Sequence, residues 1–169
     1  MSNNNLPMTI NPVELVVPAF QDRQSVVVNF GYIKEGEKRL IEARVVTPST
    51  YSDLSHSFNE GYREAKANIR AVGFEIVQTE KMHRQRKSEL ILDEYPAFLK
   101  KTDMKDNATL RDAFFERDES LTKIQDHLSM LKAMVQLMED KIKVFENVCK
   151  YMKVQMDLEK NGNFNSNKY

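Results

Sequence analysis

Seven consecutive residues carry the densest chemistry in the chain: Lys81-Met82-His83-Arg84-Gln85-Arg86-Lys87. Four are fully cationic, and His83 can add part of a charge. On a helix, Lys81, Arg84 and Lys87 lie near one face, with Arg86 and His83 to the side. Lysine and arginine neutralise phosphates and Gln85 can hydrogen-bond them, so all but Met82 are candidate nucleic-acid-binding residues. The same residues also read as a solvated helix face balanced by carboxylates on a second helix. In a symmetric oligomer the cluster repeats in every subunit, and such a ring holds a nucleic-acid backbone by multivalency. Lys100, Lys101 and Lys105 form a looser group interleaved with Asp103 and Asp106, which reads as a soluble turn. Base-stacking aromatics are scarce. Phe98, Phe114, Phe115 and Phe145 read as core, leaving Tyr95 as the one candidate.

Other chemistry is not indicated. The sequence has no Gly-rich phosphate loop, no His-Glu-x-x-His, no Cys-x-x-Cys and no Gly-x-Ser-x-Gly. His56, His83 and His127 lack metal-ligand spacing. Cys149 falls on an apolar helical seam and reads as a small core residue. The expectation is a non-enzyme with no metal and no cofactor.

Composition narrows the class. The chain has 169 residues, and its 25 basic residues balance 25 acidic ones, so any basic site must be local. With 30% charged residues, five glycines and five prolines, it suits long solvated helices. A single cysteine excludes an internal disulfide and fits a reducing compartment. The opening Met1-Ser-Asn-Asn-Asn-Leu-Pro has no basic or apolar leader region, and no stretch is apolar enough to span a bilayer. The expected location is the cytoplasm.

The elements that must position these residues follow from pattern. Residues 1–24, punctuated by Pro7, Pro12 and Pro18, read as irregular apart from the short apolar run Leu15-Val16-Val17. Residues 25–47 read as a β-hairpin: Val26 to Ile33, a turn at Lys34-Glu35-Gly36-Glu37, then Leu40 to Val46. A helical hairpin follows over 51–159. Its first helix is capped by Ser49, Thr50 or Ser52, carries the stripe Leu54, Phe58, Tyr62, Ala65, Ile69, Val72 and Ile76, and breaks before Pro96. Gly73 sits inside it at a propensity cost of about 1 kcal/mol. A polar turn covers 99–107, with Asp106 or Asn107 as the next cap. The second helix runs uninterrupted from about 108 to Asn161-Gly162, and the tail 160–169 reads as disordered. The fold class is therefore mainly α: a long antiparallel, coiled-coil-like helical hairpin with an N-terminal β-hairpin.

The second helix carries two seams. From Leu110 to Met156, apolar residues alternate steps of four and three, and Arg117 is the only polar member. That 3.5-residue repeat is coiled-coil packing along a helix roughly 75 Å long. A second stripe, Met130, Met134, Leu137, Val144, Val148, Tyr151 and Leu158, has its centre about 110° away. One partner helix cannot cover both, so Met130, Met134, Leu137, Val144, Val148 and Tyr151 are the expected interface of a homo-oligomer. The alternative is that the β-hairpin folds over this stripe in a monomer.

Residues 75–158 resemble the phage recombination mediator family called UvsY. The likeness lies in the basic, glutamine-containing segment Glu80 to Lys87 leading into Leu90 and Tyr95. A polar break follows, then Leu110-Arg111 and Arg117-Asp118, then a long apolar helix ending around Ile142-Lys143 to Lys150-Tyr151-Met152. It covers about half the chain and is a pattern of residue types. The N-terminal 50 residues depart from it. The resemblance implies a non-catalytic homo-oligomer that binds single-stranded DNA through Lys81–Lys87 and contacts a RecA-like recombinase or single-strand-binding protein. The competing reading is an oligomeric coiled-coil structural or assembly protein, such as a virion component or scaffold, without DNA binding. A prefoldin-like holdase ranks third, because here the β-hairpin precedes both helices instead of joining them.

Overall fold

The computed structural model describes residues 14–17, 25–42 and 47–166. The chain is mainly helical, with a two-stranded antiparallel β-hairpin ahead of the helices: β1 (Glu14–Val17) pairs with β2 (Val26–Asn29), Leu15 opposite Val28. The helices are α1 (Gly31–Glu42), α2 (Pro48–Glu89), α3 (Tyr95–Thr102), α4 (Ala108–Glu116) and α5 (Glu119–Ser166). A π-helical turn, Leu90–Glu94, joins α2 to α3. Phe58 of α2 stacks on Phe145 of α5 at 5.7 Å, and Arg86 meets Asp118, so the two long helices run antiparallel.

The β-hairpin lies one strand earlier than the sequence pattern places it. The run Leu15-Val16-Val17, expected to be irregular, is a strand, and residues 31–42, expected as the end of the first strand, a turn and the start of the second strand, are helical. Local chemistry explains the helix. The Asn29 side chain accepts the Gly31 amide at 2.9 Å, and the Phe30 carbonyl accepts the amide of Lys34. Glu35–Arg39 and Lys38–Glu42 are i,i+4 ion pairs, and Ile33, Gly36 and Leu40 recur on one face. Gly36 is there for close approach, since a Cβ would stand 3.0 Å from the Phe145 ring. Residues 43–46 of the expected second strand lie outside the described residues.

The helix boundaries differ for similar reasons. Thr47, not Ser49, Thr50 or Ser52, caps α2, in a reciprocal box with Thr50 that lets Pro48 take the first turn. Pro96 does not end the rod. It would clash with the carbonyl four residues back, and the π turn just before it absorbs the mismatch, with the Tyr95 amide donating to the Leu90 carbonyl. The rod ends at Asp103 (φ 51°), and Asn107 caps α4. The second helix is not continuous. It breaks at Arg117-Asp118, where the seam has its polar member, and Asp118 caps α5 through the Leu121 amide at 2.6 Å. At the other end the backbone stays helical through Asn161-Gly162 to Ser166, because glycine keeps the N–H that the ladder needs. Residues 167–169 of the expected tail lie outside the described residues.

Of the two seams of α5, the pattern alone leaves open which faces α2; it is the first, with Leu121, Ile124, Leu128, Leu131, Met138, Ile142, Phe145 and Met152 buried. The seam of α2 is less apolar than its pattern. Leu54, Phe58, Gly61, Ala65, Asn68, Val72, Glu75 and Thr79 are buried in steps of four and three, while Tyr62, Ile69 and Ile76 flank them half-buried. Asn68 is inside because its Nδ2 donates to the Asn29 carbonyl at 2.6 Å, fastening β2 to α2. Glu64 accepts the Ile33 amide, and Lys141 pairs with Glu37, so α1 is bound to both long helices. Among the described residues no helix is long and apolar enough to cross a membrane.

The two glycines of α2 separate packing from propensity. A Cβ at Gly61 would lie 2.9 Å from the Phe145 ring and 3.2 Å from the Tyr32 carbonyl, whereas nothing lies within 4 Å of one at Gly73. Gly61→Ala is expected to destabilise the protein by about 1–3 kcal/mol, and Gly73→Ala to stabilise it by about 1 kcal/mol. Urea denaturation of the two variants checks both signs.

Candidate functional site

The basic segment occupies the last two turns of α2, beside the start of α5. The structure does not assemble it into one free basic face. Arg86 is the hub of an ion-pair network. Its guanidinium bonds both carboxylate oxygens of Asp118, at 3.3 and 2.5 Å, and stands 2.9 Å from Glu94 and 3.6 Å from Glu89. It thereby ties the end of α2 and the π turn to the cap of α5. The Asp118 hydrogen bond, ahead of the neighbouring carboxylate charges, raises the arginine's pKa still further, and the same bond holds the Asp118 carboxyl below its usual range. A phosphate reaching Arg86 would have to displace these carboxylates.

The rest of the segment divides. Lys87 extends over the Phe115 ring at 4.9 Å and Gln85 donates to Glu89 at 3.2 Å. His83 is half-buried, and burial, then the Lys87 charge, push its pKa down, which weakens its part in the positive charge of the segment. Lys81 and Arg84 are exposed, three residues apart, with no carboxylate in ion-pair distance among the described residues. The six sequence-level candidates thus leave two free cations.

Two shallow clefts border the segment. One, about 380 Å³, is lined by Met82, Gln85, Arg86, Glu89, Ser120 and Ile124. The other, about 200 Å³, lies between His83, Phe115, Leu121 and Asp126. Among the described residues no three His, Cys, Asp or Glu side chains are grouped to hold a metal ion. Burial pushes the Cys149 thiol pKa up, as suits a packing residue.

The hairpin tip is closed by aromatics. Phe114 packs on Tyr95 and Phe98 at 5.2 and 5.1 Å. Tyr95, the stacking candidate, is buried, and its hydroxyl donates to Asp106 at 2.8 Å. Arg111 bonds Asp106 and lies over the Tyr95 ring, so neither the ring nor its hydroxyl is available to a base. Sequence reasoning missed Asp118 and Glu94 as partners of Arg86. The usable signal was Asp118-Glu119-Ser120-Leu121, a helix-cap pattern within an apparently continuous helix.

The second stripe of α5 also divides. Met134 and Val148 are half-buried against the main core, on the side where Lys141 meets α1. Met130, Leu137, Val144 and Tyr151 are exposed, and Leu158 extends them, each seven residues from the next. No family model, curated protein or solved structure matches the chain.

Replacing the hub and the free cations should have different consequences. Arg86→Ala leaves Asp118 unpaired and is expected to cost about 2 kcal/mol in urea unfolding, while Lys81→Ala and Arg84→Ala each change stability by less than about 0.5 kcal/mol. The hub also sets an acid limit. The folded Asp118 pKa is depressed, so the pair's stabilisation is complete above the ordinary carboxylate range and is lost as pH falls through the folded value. Between neutral pH and below about pH 4, Asp118→Asn should lose less stability than wild type, because it has already forfeited that contribution.

Proposed function

We propose that this protein is a non-catalytic, self-associating coiled-coil hairpin that works as a structural or assembly component. The observation that carries this reading is the row Met130, Leu137, Val144, Tyr151 and Leu158, left exposed on α5 at a spacing of seven. A row of that period matches the face of another helix, and apolar ridges of this length on soluble proteins mark interaction surfaces. The pairing of Arg86 with carboxylates, and the engagement of Lys87 and Gln85 in internal contacts, support the same reading, because they withdraw groups that would otherwise meet a phosphate backbone. The single half-buried cysteine fits a reducing, cytoplasmic setting.

A second reading is favoured by Lys81 and Arg84, the exposed cations of the basic segment. Repeated around an oligomer, they would form the single-stranded-DNA contact of a recombination mediator that loads a RecA-like recombinase, as the resemblance to the UvsY family implies. Both readings need self-association and differ in nucleic acid.

Light scattering after gel filtration, followed by fluorescence anisotropy with a labelled single-stranded oligonucleotide, separates them. The structural reading expects a mass above that of one chain and no binding at low salt. Salt-sensitive binding that Lys81→Ala/Arg84→Ala abolishes would replace it with the mediator reading. A monomeric mass at micromolar concentration would defeat both.

A further inference from the structure

We infer that the outer face of α2 is covered by the outer face of α5 from a second copy of the chain, the two helices running parallel; this rests on the self-association reading above. Arg70, Phe74, Val77, Lys81 and Arg84 follow one another in steps of four and three on the side of α2 away from its buried seam, and all five are exposed. Phe74 is 67% and Val77 57% exposed, two apolar side chains left in water between cations. Among the described residues, none of the three cations has a carboxylate in ion-pair distance. Two such faces brought together would oppose cation to cation, whichever way they ran. The occupant must therefore carry carboxylates towards the ends and apolar side chains between them.

The far side of α5 has this order. Asp126, Met130, Ala133, Leu137 and Asp140 take the same steps of four and three, and all five are exposed. In a parallel coiled coil the layers pair like position with like position. Laid in step, Arg70 meets Asp126, Phe74 meets Met130, Val77 meets Ala133, the Lys81 stem lies along Leu137 and Arg84 meets Asp140. Asp140 shares its charge with Lys143 of its own chain, an exposed pair at 3.3 Å that leaves it open to a second cation. A register one heptad towards the start of α5 sets Phe74 on Lys123, and one heptad the other way sets Val77 on Asp140 and leaves both arginines without a carboxylate. The one antiparallel register that keeps Phe74 and Val77 on apolar residues sets Arg84 on Lys123 and Arg70 on Leu137. The apolar layers thus supply the contact, and the charges choose its register and direction. The two faces lie on opposite sides of the hairpin, so each copy offers both. Because α2 and α5 are antiparallel within one chain, successive copies are inverted end to end, and the contact propagates as an open row.

The test uses the full chain, with light scattering over a range of concentrations and circular dichroism to verify that each variant is folded. The wild-type mass is expected to rise with concentration past that of two chains. Arg70→Glu/Arg84→Glu should fall to the mass of one chain, and adding Asp126→Lys/Asp140→Lys to the same chain should restore the wild-type mass. In a Cys149→Ser background, a mixture of Ser88→Cys and Val144→Cys chains, one layer beyond Arg84 and Asp140, should cross-link with a short bis-maleimide, and a mixture of Ser88→Cys and Glu119→Cys should not. An Arg70→Glu/Arg84→Glu variant that still assembles would overturn this contact and leave self-association standing. Cross-linking of Ser88→Cys to Glu119→Cys would overturn the parallel direction. A monomeric wild type would overturn the self-association reading as well. If that monomer bound a labelled single-stranded oligonucleotide and Arg70→Glu/Arg84→Glu abolished the binding, the face would belong to nucleic acid instead.

Discussion

The placement of Phe145 constrains the whole thick end of the molecule. Its ring stacks on Phe58 and fills the space left by two glycines, Gly61 on α2 and Gly36 on α1. A phenylalanine at the seam of a two-helix coil would ordinarily push the helices apart. Here the glycines let three helices close around it, and the ring is 1% exposed. The β-hairpin and α1 are consequently part of the core. Val17, Val28 and Ile33 join the same buried cluster as Leu131 and Met138 of α5. A two-stranded hairpin has little stability alone. This one has its inward face on the coil and its last carbonyl satisfied by Asn68.

At the opposite end electrostatics replaces packing. The small cluster of Leu90, Phe115 and Leu121 buries little compared with the core around Phe145. The Arg86 network adds direction: it joins α2, the π turn and the cap of α5 at one point. A partly buried ion pair of this kind is specific in geometry even where its net contribution is modest. The arrangement also decides what the basic segment can do. An arginine committed to three carboxylates fixes the hairpin's geometry and is a poor ligand for a diffusing phosphate.

The sequence made some of this legible and hid the rest for identifiable reasons. The α5 seam could be read because a 3.5-residue repeat sustained over ten turns has no other explanation, and burial follows it from Leu121 to Met152. Residues 31–42 form a helix although Gly36 and the neighbouring apolar residues imitate a turn between strands. The glycine's real reason, Phe145, lies more than a hundred residues away. The α2 seam drifted because Asn68, Glu75 and Thr79 are buried polar residues, which an apolar count skips. By pattern, Pro96 reads as a terminator and Arg117 as a polar member of a continuous seam. The first is accommodated by a π turn and the second marks a real break, and each outcome depends on what the next helix can satisfy. The basic cluster was visible, but its partners Asp118 and Glu94 could not be assigned before the chain reversal was placed.

The two apolar lines of α5 differ in a way that bears on function. A helix packed on one neighbour needs one line, and α2 uses it fully. The positions next to that line, Met134 and Val148, are drawn partly into the same core. The outer row gains nothing from the monomer, since leaving Leu137, Val144 and Tyr151 in water forfeits about 25 cal/mol for each Å² that a neighbour would have covered. Apolar residues scattered over a surface need no explanation, but five of them at a constant spacing of seven form a continuous ridge. The ridge lies on the same rigid helix whose other face is locked by Phe145. A partner docking there would meet a preformed helix face and order little on binding, which would favour association through shape and apolar area over association through the two free cations near the tip.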